Sequence, residues 1–251
     1  MNRSTTLILL VMIANTLVNA QNKYNYPSTE RQFISDEYFA EKVADPYRWL
    51  EDDRSAKTEE WVKAQNLCTE SYLAQIPVRS ALKSRLTELW NFNKQSAPFK
   101  KGNAFFCFRN NGLQNQSVLY IMSTLEGTGE ILLDPNTLSN EGTVSLSGTS
   151  ISKDGKTLAY GISKAGSDWV EIHFRDIATK KDLPDVIKWV KFSGMSWKGN
   201  GIYYSRYDEP TGSELSQKNQ FHKVFFHSLG TDQTKDVLVF EDKDHPEYNF
   251  G

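Results

Sequence analysis

Four histidines and two cysteines are the side chains of this 251-residue chain best suited to acid–base, metal or redox chemistry, alongside its serines as conceivable nucleophiles. Their spacing argues against each role. His222 and His227 are five apart in a stretch that reads as β-strand, and an odd offset along a strand sends two side chains to opposite faces, so they make poor partners for one metal ion. His173 lies inside another predicted strand and His245 precedes Pro246. No H-E-x-x-H pair, no paired-cysteine zinc spacing and no Gly-rich phosphate loop occurs. Cys68 and Cys107 fall in different predicted elements and are expected as free thiols. Hydrolysis by an activated serine needs a histidine base, an acid to orient it and donors for the oxyanion. In an α/β-hydrolase that serine sits in a G-x-S-x-G elbow, and the pentapeptide is missing from these residues. The chain by itself is therefore expected to carry no catalytic residue, no metal and no cofactor.

The elements around these residues point to a repeated sheet. Ser150-Ile-Ser-Lys-Asp-Gly155-Lys-Thr-Leu-Ala-Tyr160 lies over Gly194-Met-Ser-Trp-Lys-Gly199-Asn-Gly-Ile-Tyr-Tyr204 without a gap, pairing Gly155 with Gly199, Leu158 with Ile202 and Tyr160 with Tyr204. A fainter copy is Lys101-Gly102-Asn103 leading into Ala104 to Phe108. A turn glycine followed by a β-rich run at a period of about 44 residues is in the range of propeller blades. Short sheets that cannot bury both faces alone stack radially on one another. Strands are expected over Phe105 to Phe108, Val118 to Met122, Glu130 to Leu133, Leu158 to Gly161, Val170 to Phe174, Trp189 to Phe192, Ile202 to Ser205, Lys223 to Phe226 and Asp236 to Phe240. Turn signals such as Asn111-Gly112, Asp134-Pro135 and Gly230-Thr231 separate them. A β-sandwich with two similar hairpins is the competing architecture.

The first part of the chain reads differently. Arg3, the apolar run Leu7 to Ala14 and the small residues near Ala20 form a secretory leader over residues 1–20, too short to span a bilayer, which takes about 20 apolar residues. The mature chain is then expected to be exported, to the periplasm or the exterior. Asp45-Pro-Tyr-Arg-Trp-Leu-Glu-Asp52 reads as a compact turn in an arm, with Tyr47, Trp49 and Leu50 as an apolar plug. Ser55 caps a helix whose stripe is Trp61, Ala64, Cys68 and Tyr72, ended by Pro77. A second helix is expected to bury Leu82, Leu86 and Leu89, with Trp90 closing the stripe. A propeller offers no lateral partner for these helices, so they are assigned to a different domain. The formal net charge of −2 comes without a basic stripe, which argues against nucleic acid or an anionic membrane as partner.

Asp45-Pro-Tyr-Arg-Trp-Leu-Glu-Asp52 with Ala64-Gln-Asn66 closely resembles the N-terminal arm and helix of the prolyl oligopeptidase family. So do Asn111-Gly-Leu-Gln-Asn-Gln116, Leu133-Asp-Pro-Asn136, Gly166-Ser-Asp-Trp-Val170, Val190-Lys-Phe-Ser193 and Leu229-Gly-Thr-Asp-Gln233. The resemblance covers the mature chain in order. It implies a mainly β fold: the helical arm of an α/β-hydrolase domain over residues 21–95, then an incomplete β-propeller over 96–251, about three of seven blades. The implied activity is that of a serine endopeptidase cutting short proline-containing peptides after proline, the propeller gating access and the triad lying beyond residue 251. Two positions match substrate-facing residues of the family. Phe192 matches an aromatic that packs against a residue upstream of the proline, its plainer reading being a blade-core side chain. Asp168 matches an acidic loop position that would favour positively charged peptides, its plainer reading being a turn acceptor before Trp169. The alternative function is a non-catalytic propeller-like peptide-binding or interaction module.

Overall fold

The computed structural model describes residues 24–212, 214–215 and 217–251, so the leader expected over residues 1–20 lies outside the described residues. The chain divides into two compact units, the first ending at Ser84 and the second running from Arg85 to Gly251.

In the first unit the arm is more regular than its sequence suggests. A short hairpin pairs β1 (Ser35–Tyr38) with β2 (Glu41–Ala44), closed by Phe39 and Ala40 in the left-handed region. Arg48 holds the turn that follows, reaching Asp36 (Nη1 to Oδ1 2.9 Å) and Asp45 (Nε to Oδ2 2.8 Å). Trp49 donates from Nε1 to Glu30 O at 3.0 Å and lies under the Lys57 ammonium, 4.6 Å from its ring centre. Helix α1 (Ala56–Ala74) starts as its sequence dictates, with Ser55 Oγ accepting Thr58 N–H at 3.1 Å. Its stripe meets the arm: Trp61 Nε1–H donates to Thr29 Oγ1 at 2.9 Å, and Tyr72 sits edge-on to Tyr24 with ring centres 5.0 Å apart. Helix α2 (Arg79–Trp90), which runs from the end of the first unit into the start of the second, departs from expectation, since Leu82, Leu86, Leu89 and Trp90 are all exposed rather than buried.

The second unit consists of antiparallel sheets. The first joins β3 (Lys94–Gln95), β4 (Phe99–Lys101), β5 (Ala104–Asn110), β6 (Val118–Met122) and β7 (Glu130–Leu133), with β5 at its centre. The second runs through β8 (Val144–Ile151), β9 (Thr157–Lys164), β10 (Val170–Asp176) and β11 (Asp182–Val190) and continues into β12 (Ser196–Lys198), β13 (Gly201–Arg206), β14 (Lys223–Ser228) and β15 (Val237–Glu241). Among the described residues the strands of the two halves of this long sheet pair only at Val190 and Arg206, which divides it into two four-stranded groups. The repeat read from sequence lands on β9 and β13: Leu158, Ile202, Tyr160 and Tyr204 are buried at matching places, after turns in which Gly155 (φ +73°) and Gly199 (φ +57°) take a left-handed conformation.

Alternation along β9 ties the groups together. Leu158, Tyr160 and Ile162 face a core shared with Phe106, Leu119 and Leu133 of the first sheet, while Ala159 faces the opposite core with Phe174, Ile187, Ile202 and Tyr204. With both faces covered, the strand reads as an unbroken apolar run. The short strands β3, β4 and β12 add to the expected set, and two longer strands differ from expectation. β8 was not anticipated because its Ser-Leu-Ser-Gly-Thr-Ser composition resembles a loop, and β11 spans 182–190 in place of the expected 189–192, its start disguised by Pro184 and charged residues.

Candidate functional site

The two substrate-facing candidates sit on neighbouring turns at one end of β9, β10 and β11. Beyond β9 the chain reverses through Ala165 and Gly166, both at positive φ, and Ser167 Oγ accepts Trp169 N–H at 3.1 Å. That bond takes the turn role considered for Asp168, whose side chain is left 72% exposed. Trp169 is fixed more firmly: its Nε1–H donates to Glu214 O at 2.8 Å, and its ring stands edge-on to Trp189 at 5.6 Å and to Tyr207 at 6.2 Å.

Opposite, β11 ends in a bulge, Val170 pairing with Val190 but Ile172 with Ile187. The extra residue forces Trp189 to φ +62°, and Phe192 follows at φ +52°. A bulky residue there is strained, and strain of this kind is held only where the surroundings over-determine it. The consequence corrects the sequence reading, which had Phe192 within a strand and weighed it as a core side chain: it lies past the end of β11 and is 56% exposed. It borders a cavity of about 450 Å³ shared with Thr149, Ile172, Val190 and Met195. Trp169 and Trp189 line a second cavity of about 380 Å³ with Lys164, Glu171 and Lys188 at its edge.

Lys191, between the two candidates, was missed. Its side chain is only 10% exposed, and its ammonium lies 3.8 Å from Asp168 Oδ2, 4.7 Å from the ring centre of Trp169 and 5.7 Å from that of Phe192. The signal that marks it is its place in Val190-Lys-Phe-Ser193, a lone charge between apolar neighbours. Behind it, Lys191 O lies 3.0 Å from His222 Nε2, while His222 Nδ1 accepts Phe250 N–H at 2.9 Å. That bond needs a bare Nδ1, so the Nε2 donor makes a neutral ring. Burial pushes its pKa below the usual histidine value against the raising effect of the Lys191 carbonyl.

The other histidines are structural or exposed. His227, fully buried, spans Asp236 (Nδ1 to Oδ1 2.7 Å) and Asp185 (Nε2 to Oδ1 3.2 Å). Asp236 also accepts Tyr204 OH at 2.6 Å, and the imidazole stacks on Phe174 at 5.5 Å. Burial opposes its charge, but the two carboxylates prevail and raise its pKa. His173 stacks on Tyr160, and His245 bonds Asp242 at the surface. Cys68 and Cys107 are free, the former half-buried and the latter buried. Among the described residues no cluster of His, Cys, Asp or Glu has the makings of a metal site. The geometry brings together an exposed aromatic ring at the edge of a cavity, an ammonium 5.7 Å from that ring's centre and a carboxylate paired with the ammonium.

A sequence model of the prolyl oligopeptidase N-terminal β-propeller domain matches residues 26–251. The prolyl endopeptidase of Elizabethkingia miricola is 47% identical over 236 residues, 92% of this chain and 33% of the relative. That of Elizabethkingia meningoseptica is 46% identical over 248 residues, 97% of this chain and 35% of the relative. Among solved structures, prolyl oligopeptidase B from Galerina marginata bound to a 25mer macrocyclization substrate superposes with a TM-score of 0.74 at 31% identity, covering 90% of this chain and 35% of that one. The chain thus spans about a third of the length of the curated relatives it matches.

Proposed function

The chain belongs to the prolyl oligopeptidase family, and from that premise we propose that it is the N-terminal arm and about three of seven propeller blades of a serine endopeptidase that cleaves short peptides after proline. The observation that carries this reading is the 46–47% identity to prolyl endopeptidases across more than nine-tenths of the chain. Residues 21–95 pack on an α/β-hydrolase domain, and residues 96–251 contribute to the propeller that gates its active site. The exposed face of Leu82, Leu86, Leu89 and Trp90 supports this, because an apolar helix face of that size needs a partner.

The catalytic serine, aspartate and histidine are supplied by the hydrolase domain and by none of the residues described here. This chain's part is to admit and orient the peptide. Phe192, turned outward by its left-handed backbone, offers an apolar face to a residue upstream of the proline, and Asp168 stands at the rim. Residues 1–20 act as an export leader, placing the enzyme in the periplasm or outside the cell.

The test is a complete enzyme in which residues 21–251 replace the matching third of the Elizabethkingia miricola prolyl endopeptidase. It is expected to cleave a fluorogenic peptide after proline and to spare the alanine analogue. A folded protein that binds such peptides without cutting them would instead favour the interaction-module reading.

A further inference from the structure

Lys191 is an unusual place to leave a charge. An ammonium has three donors and no acceptor, so it seeks carboxylate, carbonyl or water oxygens. Here nine-tenths of the side chain is buried, yet among the described residues the ammonium makes no hydrogen bond. Asp168 Oδ2 at 3.8 Å is an ion-pair partner beyond hydrogen-bond range, and the Trp169 and Phe192 rings attract a cation without offering lone pairs. Glu171, the other acid of these turns, is engaged by Lys164 at 2.9 Å. The Lys191 ammonium thus stands beside the exposed Phe192 ring with no protein hydrogen-bond acceptor engaged among the described residues.

We propose that Lys191 is a substrate-contacting residue that takes an acidic side chain of the peptide segment lying on Phe192, giving the site a preference for carboxylate over ammonium. This rests on the peptidase reading above. Asp168 then has a different part from attracting cationic peptides. It holds the Lys191 ammonium in place and cancels much of its distant field, since opposite charges a few ångströms apart nearly neutralise one another beyond a Debye length of about 8 Å. A ligand carboxylate that reaches the ring meets the ammonium directly and forms a charge-assisted hydrogen bond, stronger than any a neutral amide would make.

The experiment measures kcat/KM of the complete peptidase on peptides with Glu, Gln or Lys at each of the three positions upstream of proline, with C-terminal carboxylates free in one set and amidated in the other. The native enzyme is expected to prefer Glu over Lys at one position, whichever the terminus. Lys191→Met should lower that Glu/Lys ratio about tenfold, the loss of one charged hydrogen bond, and Lys191→Arg should keep it. Asp168→Asn changes an exposed side chain and leaves the ammonium without its counter-charge, so it should raise the ratio. An unchanged ratio in Lys191→Met and Asp168→Asn overturns the proposal, and Asp168→Asn decides alone if Lys191→Met does not fold. A ratio that follows the terminal carboxylate also overturns it. Failure of the native enzyme to cut any proline peptide refutes the peptidase reading instead, and calorimetric binding of the same peptides then decides the role of Lys191.

Discussion

His227 shows how much one residue can carry without touching a substrate. It joins Asp185 of β11 to Asp236 at the foot of β15, across a seam where the strands themselves pair only at Val190 and Arg206. Its two carboxylate partners raise its pKa against the opposing effect of burial, favouring the charged ring. A histidine whose pKa is raised by folding stabilises fully below its unfolded value near 6.5, and that stabilisation is lost as pH climbs through the folded value. In urea at pH 6, His227→Gln is expected to lie about 3 kcal/mol below the native chain, the typical cost of removing one partner of a buried ion pair. The gap should narrow towards pH 9. A gap that stays constant would mean the ring is neutral. His222 works in the other direction, since burial lowers its pKa and its protonation at acid pH costs stability. The comparison must therefore be made against the native chain at each pH.

At the scale of elements, the seams between sheet groups are closed by glutamine side chains that imitate a strand. Gln116 donates from Nε2 to Val144 O at 2.7 Å and accepts Leu146 N–H at Oε1 at 2.8 Å. Gln233 does the same at the next seam, to Lys188 O at 3.0 Å and from Lys188 N–H at 2.9 Å. Asn136 fixes Gln116 by bonding its backbone N–H and C=O, both at 2.9 Å. Gln233→Ala should cost about 1–2 kcal/mol for two lost hydrogen bonds. Its specific mark would be faster hydrogen exchange at Lys188 N–H, and unchanged protection there would contradict the latch. Gln116, Asn136 and Gln233 stood in stretches whose likeness to the family could be read from sequence, but their pairing could not, because it joins positions 20 to 45 residues apart. What was legible was local: the glycine turns, the cap at Ser55 and the apolar run of β9. What was not legible depended on backbone geometry, above all the bulge that turns Phe192 outward and tucks Lys191 inward, which no periodicity announces.

For the molecule as a whole, burial is lopsided. The cores on either side of β9 are closed, yet Leu82, Leu86, Leu89 and Trp90 on α2 and Val237, Leu238, Val239 and Phe240 on the edge strand β15 stay exposed. Burying a leucine is worth about 1.5–3 kcal/mol, and an uncovered apolar edge strand invites pairing with another chain. The 251-residue chain on its own should therefore self-associate in light scattering, and Leu86→Lys with Leu89→Lys should reduce this. A monodisperse native monomer would argue that the faces are harmless. The glutamine latches also bear on how such a molecule yields to force. A ladder of backbone bonds shears all at once, whereas a latch of side-chain bonds opens like a zip released tooth by tooth. A chain pulled from its ends would be expected to part first at the seams, each four-stranded group persisting as a separate step in the extension trace.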